Sequence, residues 1–168
     1  MNGFNVSEAG HIVNVVSPQS ISGGITGQAF SMAGAEHVSI IIDFGVYGTA
    51  LPTAILLSYG TATATVGTPV AGATAMGFRW YYTGATGGAT KDVLSGPTVA
   101  TATGILAAAL TKSNIQMITI EVDAAELPDG NPYLQLSVTD SGNTTYMSAV
   151  AVLSGRRQQY QANATATA

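Results

Sequence analysis

The chain has 168 residues, a length typical of a single domain, and it carries a formal net charge of −4 with only five Lys and Arg residues. So few cations exclude a nucleic-acid-binding protein, which needs a positively charged surface to hold phosphates. The sequence contains no cysteine, so disulfides and thiolate metal sites are excluded as well.

The surface of the folded chain is expected to be weakly polar. Charged residues make up 8% of the sequence, against about 25% in ordinary globular proteins, and Ala, Gly, Thr and Ser take their place. A freely diffusing monomer usually keeps a mixed charged surface for solubility. We interpret the composition as that of an assembly subunit; the alternative is a secreted or otherwise low-charge domain that tolerates it.

No segment predicts secretion or membrane insertion. Residues 1–10 have neither a basic start nor an apolar run. The longest apolar stretches, at residues 40–42 and 105–110, are too short to cross a bilayer. No secretory signal is therefore visible, and we expect no membrane partner.

The N-terminal third predicts an arm followed by one clear strand. Residues 1–16 are expected to form the arm, and its apolar end, residues 12–16, is interpreted as a strand or an extended docking segment. In residues 38–44, large apolar side chains alternate with Ser39 and Asp43. This period-two pattern indicates a strand with one buried face.

The middle of the chain gives weaker signals. Residues 52–59 and 76–82 are predicted strands, because both are rich in β-branched or aromatic side chains. The low-complexity segment 60–75 predicts a long loop or a pair of polar strands. Residues 98–103 are a candidate strand, and residues 105–111 fit a short helix or a strand.

The strongest pattern lies in residues 115–153, which predict three strands in succession. The segments between the strands, residues 128–132 and 140–143, are rich in Pro, Asp, Gly and Asn and are therefore predicted turns. The third strand has apolar residues on both faces, so we expect both of its faces to be covered. The inward side chains of the first two strands are Ile118, Ile120, Val122, Leu134, Leu136 and Val138.

About eight short strands separated by turns predict an all-β fold. We expect an antiparallel β-sandwich, jelly-roll-like, or a barrel, with extended N- and C-terminal arms. Its boundaries are an N-terminal arm over residues 1–16, a β domain over residues 17–155 and an extended tail over residues 156–168.

Neither histidine predicts an active site. Only Glu8 and Glu36 lie near His11 and His37 in the sequence, and their spacing does not match a metal or catalytic pattern. We interpret both histidines as structural. The protein is therefore not expected to be an enzyme or to need a cofactor or metal.

The densest group of acids, D-A-A-E-L-P-D-G-N, holds Asp123, Glu126, Asp129 and Asn131. Its oxygen-bearing side chains are of the type that binds Ca²⁺, but their spacing does not match a calcium loop. Asp and Asn in tight turns more often hydrogen-bond backbone amides. The turn interpretation is favoured and calcium stays open.

Trp80 also has two interpretations. Beside Tyr81 and Tyr82 it could form a platform on which a sugar stacks. Period two, however, places Trp80 on the same face as Phe78, which favours a core position.

Three segments of the sequence, about half of the chain, resemble a family of small structural proteins of tailed bacteriophages. They are HIVNVVSPQSISGGITGQAFSMAGAEHVSIIIDFG, ITIEVDAAELPDGNPYLQLSV and SAVAVLSGRR. The E-x-D-A-A-E-L and S-A-V-A-V-L-S-G patterns are distinctive together, although neither carries chemistry. Genes of this family lie with the head genes, and the middle of the chain, residues 49–112, does not match it.

The resemblance implies a virion component made in the bacterial cytoplasm: a capsid decoration, or cement, protein on the outer surface of the head. Its expected partners are the major capsid protein and further copies of itself, with a trimer favoured over a dimer. The alternatives are another virion subunit (tail tube, connector or fibre) and a carbohydrate-binding module. Because such a protein needs arms that cross subunit boundaries, we expect contacts from Phe4, Ile12, Val13, Val15, Val16, Arg156, Arg157 and Tyr160.

Overall fold

A computed structural model describes residues 10–45, 52–64, 67–84, 94–107, 115–139, 142 and 145–155. Almost all of them belong to β-strands or to the turns between strands, and the described helical structure consists of short 3-10 turns. Among the described residues, no helix is long and apolar enough to span a membrane. The strands are β1 (His11–Ser20), β2 (Ile25–Thr26), β3 (Phe30–Ser31), β4 (His37–Phe44), β5 (Ala54–Gly60), β6 (Thr74–Met76), β7 (Phe78–Gly84), β8 (Leu94–Ala100), β9 (Ile105–Leu106), β10 (Ile115–Asp123), β11 (Tyr133–Val138) and β12 (Tyr146–Ser154).

The strands form two antiparallel sheets that pack face to face. The first sheet has the order β1-β12-β4-β10-β7-β8. The second has the order β2-β11-β5-β6, with β3 paired to β11 and β9 paired to β5. The predicted all-β sandwich is thereby confirmed.

The core lies between the sheets and follows from the period-two alternation of the sequence. On β4, the inward side chains Val38, Ile40 and Ile42 are completely buried. Ile120 of β10 lies directly opposite Ile40 in the ladder and is also completely buried. Each such side chain contributes about 1.5–3 kcal/mol through burial, so apolar packing holds the sandwich together.

The three strands predicted in residues 115–153 are confirmed as β10, β11 and β12. The predicted turn before β11 is closed by the Asn131 backbone N–H, which donates to the Pro128 carbonyl at 3.1 Å. Gly130 occupies the third position of this turn with φ +79°. A type II turn needs a positive φ there, and Gly adopts it without steric cost.

The low-complexity segment is fixed to the second sheet by one buried polar side chain. Gln135 of β11 accepts a hydrogen bond from the Val70 N–H at 2.9 Å. Its amide donates to the carbonyls of Thr68 and Gly27 at 2.8 and 2.9 Å. Because buried amide groups need such partners, Gln135 fixes this loop against the sandwich.

Two weaker strand predictions are shifted or shortened. The candidate strand at residues 98–103 is found at Leu94–Ala100, and residues 101–104 form the turn that follows it. In the segment 105–111, Ile105–Leu106 pairs with β5 as a strand, and residues 108–111 lie outside the described residues.

The predicted arm at residues 1–16 is corrected in its second part, where the strand interpretation of residues 12–16 is confirmed. Residues 11–16 belong to β1, which pairs with β12 from His11 opposite Leu153 onward. Val13, Val15 and Val16 are 5%, 2% and 3% exposed and lie in the hydrophobic core. The β domain therefore starts no later than His11, and residues 1–9 and 156–168 lie outside the described residues.

Candidate functional site

The outer face of the first sheet, which points away from the second sheet, carries two groups of side chains that the core does not use. The alternation that buries Ile40 turns Ser39 and Ile41 outward on β4. The same alternation turns Glu121 and Asp123 outward on β10. Strand pairing then decides which of these residues become neighbours.

A charged cluster forms where the ends of β4, β10 and β7 meet. Asp123 lies opposite His37, and Glu121 lies between Ser39 on β4 and Arg79 on β7. The 3-10 turn Ala124–Glu126 follows β10 and adds one more carboxylate. We call His37, Arg79, Glu121, Asp123 and Glu126 the charged cluster.

His37 is held between two carboxylates. Its Nδ1 lies 2.7 Å from Oδ1 of Asp123, and its Nε2 lies 2.5 Å from Oε2 of Glu121. Only the protonated ring carries a hydrogen on both nitrogens, so this geometry is that of an imidazolium. Partial burial opposes the charge, but the hydrogen bonds to Asp123 and Glu121 outweigh it and raise the pKa of His37 above its ordinary value.

Asp123 connects the other members of the cluster. Hydrogen bonds from His37 and from Arg79, whose Nη2 donates to Oδ2 at 2.6 Å, lower the pKa of Asp123. Its backbone N–H donates to Oε2 of Glu126 at 2.9 Å, which starts the 3-10 turn. Because these groups are still partly exposed to solvent, the ion pairs add little to stability and mainly fix positions.

A shallow groove of about 400 Å³ runs over the cluster. Beyond the charged residues, Tyr81, Leu94 and Thr119 line it. Tyr81 is the only aromatic residue among those that line this groove, because Trp80 points the opposite way.

The cluster does not have the geometry of a nucleophilic active site. The hydroxyl of Ser39 donates to Glu121 at 2.8 Å, whereas a catalytic serine would contact the histidine. Both ring nitrogens of His37 already face carboxylates, so neither is left to take a proton from a substrate. The arrangement is a self-paired ionic network.

The acids proposed for calcium are not gathered around one point. The carboxylate of Asp123 is turned towards His37 and Arg79, and Glu126 binds the Asp123 backbone. Asn131 donates to the backbone carbonyl of Asp129 at 3.1 Å, as expected for a turn. Among the described residues, no group of three or more His, Asp and Glu side chains is arranged to hold a metal ion.

The second group on the outer face is apolar. Ile12 lies opposite Val152, and Val150 lies opposite Ile41, so the four side chains lie together across β1, β12 and β4. Ile12 is 55% exposed and the other three are half-buried. The solvent face of an antiparallel sheet is normally polar. We call Ile12, Ile41, Val150 and Val152 the apolar row.

The residues proposed for partner contacts fall into three groups. Ile12 lies in the apolar row. Val13, Val15 and Val16 do not fit that role, because they are buried in the core of their own chain. Phe4, Arg156, Arg157 and Tyr160 lie outside the described residues.

The two interpretations of Trp80 are resolved by the structure. Trp80 is 3% exposed, and its ring packs against that of Tyr82 with centroids 5.5 Å apart. The core interpretation is confirmed, and the sugar platform built on Trp80 is excluded.

Sequence reasoning missed the charged cluster. Period two does predict that Glu121 and Asp123 share one face of their strand. It predicts likewise that His37 and Ser39 share one face of theirs. The pairing of β4 with β10, however, joins residues 84–86 positions apart. Nothing in the sequence indicates which strands are neighbours over such a distance.

A scan against models of known protein families and a search of curated proteins both find no match to this chain.

Proposed function

We propose that the protein is a structural subunit that works by adhesion: a bacteriophage capsid decoration protein. It binds the outer surface of the head as a homo-oligomer, with a trimer favoured over a dimer. The apolar row is its docking face, and the major capsid protein and sister copies are its partners. The resemblance of the sequence to phage head proteins supports the setting, and the fold supports the adhesive role.

The observation that carries the proposal is the apolar row itself. Four branched aliphatic side chains occupy adjacent outward positions on one side of the sheet. Burying such surface is worth roughly 25 cal/mol per Å² before the cost of association is subtracted. In an oligomer on a repeating shell, several such contacts act together, so each can be weak.

The chemistry of the chain points the same way. Only 8% of residues are charged, so partner surfaces can approach without removing many ions from water. Both ring nitrogens of His37 and the hydroxyl of Ser39 are engaged with carboxylates of the charged cluster. Adhesion needs a rigid body and a suitable surface, and both are present.

The test compares two substitutions on opposite edges of the same sheet face. Ile12→Lys alters the apolar row on β1, and Val99→Lys is the matched control on β8, where Val99 is 73% exposed. Binding is measured by co-sedimentation with heads that lack the protein, taken from the phage that encodes it. We expect Ile12→Lys to weaken binding at least about tenfold, because a buried aliphatic contact worth more than about 1.4 kcal/mol is lost.

Val99→Lys is expected to bind like the unaltered protein. The apolar row would not be the docking face if both variants lost binding equally. The same conclusion would follow if Ile12→Lys bound normally while its urea midpoint was unchanged. Copy number in purified particles separates the alternatives, since a decoration protein covers the shell and a connector or fibre subunit occurs at one position. Glycan binding by the purified chain without head binding would favour the carbohydrate-binding alternative.

A further inference from the structure

One end of the outer face contains a titratable group in an unusual setting. His37 occupies the first position of β4, with its side chain 32% exposed and a carboxylate beside each ring nitrogen. The groove over the charged cluster passes directly above it. The proposed function makes no use of this feature.

We propose that His37 is a proton-operated clasp: its protonated ring ties β4 to both Glu121 and Asp123, and loss of the proton releases Asp123 and alters the groove. The clasp is a property of the folded chain and does not depend on the capsid proposal. It makes the shape and charge of the outer face depend on pH.

The number of hydrogen-bond donors on the ring depends on its protonation state. A neutral imidazole has one N–H donor and one acceptor nitrogen, and an ionised carboxylate can only accept. When the proton is lost, one ring nitrogen therefore directs a lone pair at a carboxylate oxygen 2.5 or 2.7 Å away. Two acceptors repel at that distance, so one of the two contacts must open.

The contact to Asp123 is the one that opens. Asp123 keeps the guanidinium of Arg79 at 2.6 Å, so it has an alternative cation, whereas Glu121 retains only the hydroxyl of Ser39 as a second donor among its described contacts. The Asp123 side chain is also 47% exposed against 22% for Glu121, so water replaces the lost bond more easily. The remaining proton thus stays on Nε2, facing Glu121.

The surroundings of His37 determine the sign of the electrostatic effect. Glu121 and Asp123 face it from β10, with Arg79 behind them on β7 and Glu126 in the 3-10 turn. The residue opposite His37 on β12 is the uncharged Ser154, and Glu36 precedes His37 in the chain. Carboxylates outnumber cations here, so loss of the proton makes an already acidic corner more negative.

The opened clasp affects the docking face because the two groups on the outer face are neighbours. Val152 of the apolar row lies opposite Ser39, which binds Glu121. A rise in pH therefore makes the net charge near the apolar row more negative. Any acidic surface that approaches this face is disfavoured as pH rises.

The experiment is an NMR titration of the histidine ring signals in the folded, full-length chain. The chain has only two histidines, which makes assignment simple. We expect the midpoint of His37 to lie above its value in the same chain unfolded in urea. Above that midpoint, ring nitrogen shifts should report the Nε2–H tautomer, and the side-chain carboxyl signal of Asp123 should move with the His37 titration more than that of Glu121 does.

Three variants locate the cause. Asp123→Asn and Glu121→Gln each remove one carboxylate charge beside the ring and should each lower the His37 midpoint. Asp43→Asn is the matched control, because Asp43 is exposed at the other end of β4 on the same face. The clasp is overturned if the midpoint of His37 in the unaltered chain is not raised, or if Asp43→Asn lowers that midpoint as much as Asp123→Asn and Glu121→Gln do. It is also overturned if the Nδ1–H tautomer forms, a measurement that needs no variant.

Discussion

Asp123 shows how much organisation one exposed side chain provides in a protein with few charges. It joins His37 on β4 to Arg79 on β7, two strands that lie on either side of its own strand. Because the groups are exposed, solvent screens each attraction. The benefit is geometric: the network joins the three strand ends on the outer face, opposite the core.

The raised pKa of His37 gives a signed prediction for stability. A group with a pKa raised by folding stabilises the native state fully below its unfolded value, which is near 6.5, and this contribution is lost as pH rises through the folded value. The lowered pKa of Asp123 acts at the other end: its contribution is present above 3.8 and is lost as pH falls through the folded value. The free energy of unfolding should therefore be highest between these two windows.

Urea unfolding at a series of pH values checks this prediction. In the unaltered chain the free energy of unfolding should fall as pH rises above 6.5. In His37→Gln that fall should be reduced, because the titrating ring is absent. The other histidine, His11, is common to both chains and contributes equally to them. Identical alkaline slopes in the two chains would show that His37 is not the group responsible.

At the scale of the elements, the turn between β8 and β9 lies very close to the backbone of a neighbouring strand. Gly104 has φ +77°, and a Cβ at this position would lie 2.1 Å from the carbonyl oxygen of Ile55 and 3.0 Å from its carbonyl carbon. Those atoms belong to the backbone of β5, which is paired to β9 and cannot move aside without breaking the sheet. Only glycine fits.

Gly104→Ala should therefore destabilise the fold by more than the cost of the backbone conformation, which is about 1–2 kcal/mol for a residue with a side chain. Gly23→Ala is the matched control, since Gly23 has φ +93° with no atom within 4 Å of its would-be Cβ. Gly23→Ala should lower the free energy of unfolding only by the cost of the backbone conformation. Chemical denaturation of both variants checks the difference, and equal losses would mean that the close approach of β5 is not the cause.

The edge strand β1 limits how much of the N-terminus can be deleted while the protein still folds. Deleting residues 1–16 would remove Val13, Val15 and Val16 from the core. Burial of each is worth about 1.5–3 kcal/mol, which together approaches the whole stability of a typical domain, about 5–15 kcal/mol. We expect that deletion to abolish cooperative unfolding.

Deleting residues 1–9 instead leaves β1 complete from His11 onward. This shorter deletion should unfold cooperatively. Its binding to heads then measures what residues 1–9, which include Phe4, contribute to binding. A folded protein after removal of residues 1–16, shown by a dispersed NMR spectrum, would contradict the placement of the three valines.

The alternation within single strands could be predicted from the sequence, and the pairing between strands could not. Val38, Ile40 and Ile42 are buried as their spacing predicts. Successive side chains of a strand point to opposite faces, so the sequence of one strand is enough to predict which face is apolar. Residues 12–16 were interpreted as a strand or an extended docking segment, and the strand is confirmed. Its two bulges, between Asn14 and Val16 and between Val16 and Gln19, break the alternation, so the adjacent Val15 and Val16 are both buried. Local pattern fails where the backbone leaves regular geometry.

The same limit applies to the two groups on the outer face. The apolar row needs the β1–β12–β4 order, and the charged cluster needs β4 beside β10 beside β7. Their members are separated by tens of residues and become neighbours only through the topology. The third strand was predicted to be covered on both faces, because Val150 and Val152 oppose Ala149, Ala151 and Leu153. The structure places Val150 and Val152 outward and half-buried, in the apolar row.

For the whole molecule, the two sheets have different roles. The inner faces of both supply a continuous core and hence a rigid body. The outer face of the first sheet carries the apolar row and, beside it, a proton-sensitive cluster. In our proposal, the apolar row provides adhesion and the charged cluster controls local charge.

We propose that this outer face binds other subunits on a phage head, and a density map of purified heads from the proposed source phage tests the proposal most directly. The account predicts copies of the sandwich distributed over the outside of the shell, with Ile12, Val150 and Val152 buried against the capsid or a sister copy. A shell without the protein, or copies whose apolar row faces solvent, would contradict it.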